Sequence, residues 1–310
     1  MGVKSIIKTR FPFLYQRIYE LRTNSMIRKN KKKTEEEELK NLAKIYKKRT
    51  GNILNINDPR RYTEKIQWRK FFDRSEEYSV LSDKLAVRTW VESKIGKEYL
   101  IHLLGSWDKY EDIDFNILPE KFVLKTNNAS GTNVLIKDKS KINHRLLKRK
   151  FNYWLNFDYS NYAGYEKHYT KIEPKIICEE LIETSGDSDL PDYKFLCFDG
   201  EVKYIWVDEG RYHDHKRAIF DTNWNLQPFQ QANYQIATGV SKPVNLEKMI
   251  EIATELSKGF DHVRVDLYND NGKIYFGEMT FTNGSGLEPF FPDKYDFILG
   301  DFWKLKSHNN

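Results

Sequence analysis

The spacing of apolar residues predicts helices over most of the first 100 positions. Residues 34–50 run from an acidic first turn to a basic last turn, which is typical of a helix and complements its dipole. Apolar positions of helical period predict a second helix over residues 63–72. A third helix is expected over residues 82–96, with Ser82 as its N-cap and Gly96 as its stop.

Beyond residue 100 the apolar positions follow the period of two that is typical of β-strands. Strands are predicted on both sides of a loop in FVLKTNNASGTNVLI (122–136) and in KIICEELI (175–182). A hairpin is predicted around Asp199-Gly200, and a strand, a turn and a strand over 217–229. Helices are expected at three places: 142–158, 245–258 and after Pro292. This order indicates an α+β chain with mostly antiparallel sheets.

The last hairpin, VRVDLYNDNGKIYFGEMTFTNG (263–284), combines an apolar face with a charged one. Apolar residues alternate with Arg264 and Asp266 on its first strand, and the returning strand carries Glu278. Hard carboxylates of this kind hold Mg²⁺ that bridges substrate phosphates. The hairpin is therefore a candidate metal site.

The number of residues in the turn decides whether Asp266 and Glu278 share a face. A three-residue loop at 270–272 would put both on one face and place Arg264 opposite Glu278. A two-residue turn at Asn271-Gly272 would put them on opposite faces. The alternative to a metal site is a solvent-exposed face with a cross-strand Arg–Glu pair.

Composition excludes several classes of protein. The 310 residues, 15% of them aromatic, fit two or three packed subdomains. Two cysteines, Cys178 and Cys197, do not make a disulfide framework, and no Cys/His spacing suggests zinc. The chain has no run of 18 apolar residues, and its first 25 residues lack the apolar core of a secretory signal. A cytoplasmic location is expected.

The basic residues are concentrated at the start of the chain. Residues 1–33 hold ten Lys or Arg and one Glu, a charge of +9, so residues 34–310 of this +6 chain sum to −3. Apolar residues are interleaved with these charges, a pattern that is compatible with an amphipathic segment on an anionic membrane surface. The alternative is a helix packed on the body with a solvated basic face. No nucleic-acid-binding motif is present, so no nucleic-acid partner is expected.

Three further segments carry candidate chemistry. Lys125 ends a strand before a loop with Gly131, where backbone N–H groups and a cation can approach a polyphosphate; a surface hairpin is the alternative. In KIICEELI an apolar strand leads into two acids, an arrangement that a hinge against an adenine ring would have. The segment DEGRYHDHKRAIFD (208–221) contains the basic residues Arg211, His213, His215, Lys216 and Arg217. These side chains would bind a γ-phosphate or an acidic sugar, and the alternative is a solvated loop.

Taken in order, these motifs resemble the ATP-grasp superfamily, and within it the TupA-like branch found among bacterial surface-polysaccharide genes. The resemblance runs from about Asn57 to Phe302. It is carried by DPRRYTEKIQW, LSDKLAVR, LPEKFVLKTNNASGTN, DYKFLCFDGEV, FDTNW and VRVDLYNDNGKIYFGEMTFTNGSG. The fold that it implies is ATP-grasp: two α+β subdomains that grip ATP between mostly antiparallel sheets, after a helical N-terminal region.

The resemblance also implies nucleotide-binding residues. Lys125 corresponds to the phosphate lysine of the central subdomain, and Lys84 resembles a second phosphate lysine. The flap over the phosphates would comprise Ser130, Gly131 and Thr132. The adenine hinge would comprise Glu179, Glu180, Leu181 and Ile182, with Glu180 nearest the base. Asp192 or Lys194 would contact ribose or phosphate.

For the metal and the chemistry, the resemblance implies Asp266 and Glu278 as carboxylate ligands. Arg264 would stabilise the acyl-phosphate and the tetrahedral oxyanion, with Lys125 and Arg217 also catalytic. Thr280 stands where many ATP-grasp enzymes have Asn, so the third metal ligand is expected to be Asn283 or water. The spacing of the two acids is also one residue shorter than usual.

The implied reaction is that of an ATP-grasp ligase. ATP would phosphorylate a carboxylate, and an amine would then attack the acyl-phosphate to give an amide, with Mg²⁺, or Mn²⁺ in its place, on the phosphates. The expected substrates are a uronic acid of a sugar or glycan and an amino acid or other amine. A glycosyltransferase and a non-catalytic nucleotide-binding assembly factor are the alternatives.

The expected organisation has four parts. Residues 1–50 form a basic helical extension, 51–118 a mainly helical subdomain, 119–182 a central lid subdomain and 183–310 a C-terminal subdomain with the metal site. The basic arm would place the enzyme at the inner face of the membrane.

Overall fold

The computed structural model describes residues 10–162, 164–183, 190–210 and 214–305. Contacts between Cα atoms divide the chain into two compact units. Unit 1 consists of Met1–Leu42, Asp83–Leu85 and His102–Leu181. Unit 2 consists of Ala43–Ser82, Ala86–Ile101 and Ile182–Asn310. The four-part division expected from the sequence stays a prediction.

Helices and antiparallel strands both form the two units, so the α+β class predicted from the sequence is confirmed. The helices in the described residues are α1 Pro12–Asn30, α2 Glu35–Thr50, α3 Tyr62–Phe72, α4 Glu76–Ser82, α5 Val87–Ile95, α6 His144–Leu155, α7 Leu246–Ser257 and α8 Lys294–Phe302. The strands are β1 Leu103–Trp107, β2 Phe122–Thr126, β3 Asn133–Ile136, β4 Ile176–Glu180, β5 Asp192–Phe198, β6 Glu201–Glu209, β7 Lys216–Phe220, β8 Gln230–Gln231, β9 Gln235–Ile236, β10 His262–Asp270, β11 Lys273–Thr280 and β12 Phe290–Phe291.

The sheet of unit 1 has the strand order β1-β4-β2-β3 and is antiparallel throughout. Alternate residues of β2 and β4, such as Leu124 and Ile176, are buried with Phe151 of α6 in one apolar core. This helix begins at Asn143, whose side chain accepts a hydrogen bond from the backbone N–H of Leu146. The core therefore holds the loop between β2 and β3 at one end of a packed sheet.

The main sheet of unit 2 has the order β11-β10-β5-β6-β7-β9, in which only the β7–β9 pair is parallel. Its two faces differ because side chains alternate along each strand. One face is apolar and packs against Met249 and other residues of α7. The other face is apolar where Trp206 meets Tyr62 and Trp303, and charged over the rest. This charged region contains most of the candidate site residues described below.

Most of the helices expected from the sequence are confirmed. At the start of α2, Thr34 and Glu37 form a reciprocal capping box. Gly96 ends α5 with a φ of 101°, a conformation that favours glycine. The hairpin around Asp199-Gly200 is also confirmed. None of the helices in the described part of the chain is long and apolar enough to cross a bilayer.

Two sequence predictions are wrong in detail. Ser82 ends α4 instead of capping a helix, because the chain leaves the helix there and the N–H of Lys84 donates to the carbonyl of Asn127 at 3.4 Å. The strand expected after the turn at 221–225 is reduced to an isolated bridge. There the carboxylate of Asp221 accepts from the backbone and the side chain of Asn225, which holds a compact loop instead of a ladder.

Candidate functional site

The turn of the β10–β11 hairpin has two residues. Asp270 pairs with Lys273, and Asn271 and Gly272 between them have φ values of 49° and 95°. Asn-Gly with two positive φ angles is the favoured two-residue hairpin turn, because its twist matches that of the strands. Of the two turn lengths that the sequence left open, the structure has the two-residue one.

A β-bulge restores the parity that the two-residue turn would otherwise remove. Asp266 pairs with Glu278, but the next pair is Leu267 with Phe276, so Gly277 is the extra residue. A Cβ on Gly277 would lie 3.0 Å from the carbonyl oxygen of Asp266, which is tighter than ordinary contact. The bulge places both carboxylates on the same face, directly opposite one another.

The bulge also changes the position of Arg264, which pairs with Thr280 and not with Glu278 as predicted. Its guanidinium donates to both oxygens of Asp266, at 2.6 and 2.7 Å, and to Glu278 Oε1 at 2.8 Å. It also donates to Asn283 Oδ1 at 2.6 Å. Burial alone would lower the pKa of Arg264, but the two carboxylates outweigh it and raise the pKa. Arg264 is thus a fully charged group that joins the three proposed metal ligands.

Asp192 and Lys194 of β5 join the same cluster. Lys194 lies opposite Asp266 in the sheet, and its Nζ donates to Asp266 Oδ2 at 2.8 Å and to Asp192 Oδ2 at 2.5 Å. Burial raises the pKa of Asp266, while Arg264 and Lys194 oppose that rise. The sequence left open whether Asp192 or Lys194 was the functional residue, and the structure buries both beside Asp266.

Arg217 of β7 is buried and bonded, which does not fit the solvated-loop interpretation of that segment. It donates to both oxygens of Asp208, at 2.6 and 2.8 Å, and to Gln231 Oε1 at 3.0 Å. His215 Nε2 lies 3.3 Å from Asp208 Oδ2. Burial would raise the pKa of Asp208, but Arg217 outweighs it and holds the pKa well below its usual range. Arg211 and His213 of the same segment lie outside the described residues.

Asp208 is a member of the cluster that the sequence prediction missed. It faces Asp192 across β5 and β6 and Arg217 across β6 and β7. The sequence IWVDE (205–209) already indicated this residue, because alternation along a strand puts Asp208 on the face opposite to Ile205 and Val207. The residue was overlooked because its role depends on a strand pairing that a single sequence does not reveal.

The oxygen atoms around Arg264 fit Mg²⁺ by donor type. Asp266, Glu278 and Asn283 supply two carboxylates and one amide oxygen, all hard ligands, and Mg²⁺ normally completes its shell with water and phosphate. No group of three or more His, Cys, Asp or Glu suited to a metal occurs in the residues that the structure describes. A metal at this place would therefore share the oxygens that now accept hydrogen bonds from Arg264.

Unit 1 brings together the proposed phosphate lysine and one acid of the proposed hinge. Lys125 Nζ lies 2.6 Å from Glu179 Oε2, and both side chains are largely buried. Glu180 is exposed, with Oε1 3.0 Å from His102 Nδ1. The two acids of KIICEELI therefore differ, since only Glu179 turns toward the lysine. Leu181 and Ile182 follow the end of β4 with half-buried apolar side chains.

The loop between β2 and β3 is anchored at its base. Lys84 Nζ donates to the carbonyl of Ala129 at 2.6 Å, and Thr126 and Thr132 bond through their hydroxyls at 2.8 Å. Ser130 is exposed, and so is Gly131, which has a φ of 73° and open space where a Cβ would be. The tip can therefore present backbone N–H groups to an anion, as the sequence predicted for a phosphate loop.

Comparisons with known proteins agree with the motifs quoted above. The model of the family described as TupA-like ATPgrasp matches residues 64–304, more than three quarters of the chain. The resemblance inferred from the sequence motifs is confirmed by this match. No curated protein matches the chain.

Similar solved structures include D-alanine–D-alanine ligases from Bacillus anthracis (17% identity, TM-score 0.39, 65% of this chain and 57% of that chain) and Helicobacter pylori (12%, 0.43, 78% and 69%). The ATP-grasp ligase PsnB with a minimal precursor, Mg and ADP is also similar (11%, 0.38, 74% and 62%). The chain thus covers less than two thirds of the first of these ligases. Because the TM-scores are below 0.5, the family match is the finding that assigns the fold.

Proposed function

Because the chain belongs to the TupA-like ATP-grasp family, we propose that it is an ATP-dependent carboxylate–amine ligase. The carboxylate oxygen of one substrate attacks the γ-phosphorus of ATP, which gives an acyl-phosphate and releases ADP. The nitrogen of the second substrate then attacks the carbonyl carbon, and phosphate leaves as the amide forms. The observation that carries this proposal is the pairing of Asp266 with Glu278 around Arg264.

In this proposal the buried charged cluster of unit 2 binds Mg²⁺ and stabilises the negative charge on the phosphates and the reacting carbonyl. Asp266 and Glu278 would hold Mg²⁺ with Asn283 or water, and a bound Mg²⁺ supplies charge neutralisation at the phosphates. Arg264 would stabilise the oxyanion that develops at the substrate carbonyl. Lys194 supports this arrangement because its ammonium fixes one oxygen of Asp266. Arg217 would meet the acidic substrate or the γ-phosphate.

Unit 1 would contact the nucleotide. Lys125 is supported as a phosphate lysine by its position on β2 beside an exposed loop, where Glu179 holds it until an anion competes. Lys84 supports the loop through Ala129 and would offer a second cation. Ser130, Gly131 and Thr132 would cover the phosphates, and Glu180, Leu181 and Ile182 would line the adenine, as the family resemblance implies.

The proposed acceptor is a uronic acid of a bacterial surface polysaccharide or its precursor, and the proposed donor is an amino acid or another amine. Both rest on the family resemblance. The reaction would take place in the cytoplasm, at the inner face of the membrane where glycan intermediates are held.

The test measures ADP released from ATP–Mg²⁺ in the presence of a panel of uronic acids and amines. We expect ADP release that depends on both partners and falls at least a hundredfold in Asp266→Asn, because the metal loses a charged ligand. Asp270→Asn, which lies in the same hairpin outside the cluster, is the matched control and should keep full activity. Equal activity of Asp266→Asn and wild type would refute the metal assignment.

A further outcome would refute the ligase itself. Transfer of sugar from a nucleotide sugar without ADP formation would favour a glycosyltransferase. Binding of ATP with no ADP from any pair of substrates would favour an assembly factor.

A further inference from the structure

Helix α1 packs on the rest of unit 1 mainly through polar contacts. Its buried residues are Gln16, Thr23, Ile27 and Asn30, and Ile27 joins Ala129 and Phe157 in a small apolar cluster. Thr23 bonds to the hydroxyl of Tyr153, and Asn30 Nδ2 donates to the carbonyl of Asn161 at 2.9 Å. These bonds fix which side of the helix faces the protein.

The opposite side of α1 is apolar and exposed. Phe11, Leu14, Ile18 and Leu21 are 58%, 52%, 41% and 64% exposed. The spacing of four and three residues puts Leu14, Ile18 and Leu21 on one stripe, because side chains at such intervals lie above one another on a helix, and Phe11 precedes them at the N-cap. The helix therefore packs with its basic residues exposed, as in the packed-helix alternative, but an apolar stripe is exposed beside them. Most of the side chains that it buries are polar.

The apolar stripe is bordered by cations. Between residues 10 and 33 the basic residues are Arg10, Arg17, Arg22, Arg28, Lys29, Lys31, Lys32 and Lys33. The one acid of this stretch, Glu20, is held by Arg149 through bonds of 3.0 and 2.6 Å. Beyond Leu21, the same side continues as a depression lined by Leu21, Asn24, Ser25, Arg28, Lys29 and Lys32.

We propose that this face of α1, the stripe with its flanking bases, binds the surface of an anionic lipid bilayer. The helix is about 28 Å long, so it can lie flat with its apolar side chains at the boundary between head groups and acyl chains. Its bases then meet the lipid phosphates. An exposed apolar stripe or a basic helix face can each serve other kinds of binding. An apolar stripe flanked by cations is complementary to the surface of an anionic bilayer.

Charge complementarity favours the bilayer over a second copy of the chain. Two copies joined through this face would bring two basic helices together, and like charges at close range oppose that contact. The inference does not depend on the proposed ligase reaction, since it concerns a surface outside the residues assigned to nucleotide and metal.

The test is sedimentation of the full chain with vesicles. We expect binding to phosphatidylcholine vesicles that contain about 30% phosphatidylglycerol and weak binding to pure phosphatidylcholine. The variant Leu14→Ser/Ile18→Ser/Leu21→Ser should bind the anionic vesicles at least tenfold more weakly. Arg17→Gln/Arg22→Gln should lose about fivefold per charge, with less effect at high salt.

A matched control changes three exposed apolar residues outside α1. The variant Ile53→Ser/Ile117→Ser/Val244→Ser should bind as wild type does. Because all six positions are exposed, each variant should keep its fold, which circular dichroism checks. A variant that lacks residues 1–9 should still bind, since α1 is retained.

Three results would overturn the inference. Vesicle binding that is equal in wild type and in the α1 triple variant would exclude the stripe. Loss of binding only when residues 1–9 are removed would assign it to that segment. A dimer of wild type in sedimentation velocity that the triple variant abolishes, without vesicle binding, would assign the face to a second copy.

Discussion

Six buried charged side chains on the sheet of unit 2 form three pairs of opposite charge. They are Asp192 with Lys194, Asp208 with Arg217, and Asp266 with Arg264. A buried charge without a partner costs several kcal/mol. Removal of one member of a pair leaves the other charge unpaired, and this is expected to destabilise the folded protein. The pairs need not add net stability over apolar residues.

Asp296 of α8 provides a separate test of a buried carboxylate. Its oxygens accept from the N–H of Thr63 at 2.9 Å and from its hydroxyl at 2.6 Å. Burial outweighs these bonds and raises the pKa of Asp296 to about 6.

A raised carboxyl pKa in the folded state means that Asp296 contributes most to stability below about pH 4, where it is protonated in both states. That contribution is lost as the pH rises through about 6. We expect the free energy of unfolding of wild type, measured relative to Asp296→Asn, to fall by about 2–3 kcal/mol from pH 4 to pH 7. Urea denaturation over this range measures it, with exposed Asp301→Asn as control. A constant difference between wild type and Asp296→Asn would contradict the prediction.

At the scale of elements, the hairpin shows what sequence could predict and where it failed. Alternation alone predicted β10 and β11 and placed Arg264 with Asp266 on one face. The sequence tied a shared face for both carboxylates to a three-residue loop, whereas the structure reaches the shared face with a two-residue turn and a bulge. A bulge cannot be read from alternation on a single strand, because it is a property of two paired strands.

Gly277 is expected to be critical for this geometry. A side chain there would crowd the carbonyl of Asp266 and the ring of Tyr268, at 3.0 and 3.2 Å from the new Cβ. Gly277→Val should lower the free energy of unfolding by about 1–3 kcal/mol and reduce ADP release at least tenfold, because Glu278 shifts.

The matched control for Gly277→Val is Gly200→Ala. Gly200 has a φ of 79° in the β5–β6 turn, so alanine there costs about 1–2 kcal/mol through backbone strain without touching the carboxylates. ADP release at a temperature where all proteins are folded separates the two variants. An equal loss of activity in both would mean that the bulge acts only through stability.

The same distinction applies to the rest of the candidate site. Lys125 could be named from the strand that leads into a glycine loop, Arg217 from the basic stretch 208–221, and Lys194 only from the family resemblance, with Asp192 as the alternative. Asp208 could not, since its partners come from β5 and β7. The pairing of Lys125 with Glu179 also depends on a strand register that only the folded sheet provides.

At the scale of the whole molecule, the family match begins at residue 64 and leaves α1 and α2 outside it. The proposed nucleotide and metal residues all lie within the range that the family model matches, whereas the inference about α1 rests on this chain alone. The sequence predicted an amphipathic basic arm but not its orientation, because the direction in which a helix packs depends on partners such as Tyr153 and Asn161.

Nucleotide binding should be visible in the stability of the folded chain. A ligand at 100 times its Kd stabilises the folded state by about 2.7 kcal/mol, so ATP–Mg²⁺ should raise the melting temperature by several degrees. The rise should be reduced in Lys125→Ala, which removes the proposed phosphate cation. Exposed Lys137→Ala in unit 1 is the matched control, and thermal denaturation with and without ATP–Mg²⁺ measures both. A rise in Lys125→Ala equal to that in wild type would remove Lys125 from the site.

The β-bulge at Gly277 has a consequence for how this hairpin can change in length. A single inserted or deleted residue between Asp266 and Glu278 would turn one carboxylate away from the other unless a second change compensated for it. Natural variation in this segment should therefore occur in steps of two, or as a longer turn combined with loss of the bulge. The same spacing with a three-residue turn and no bulge at Gly277 would be an equivalent solution, whereas a spacing one residue longer would require an even-numbered turn without a bulge.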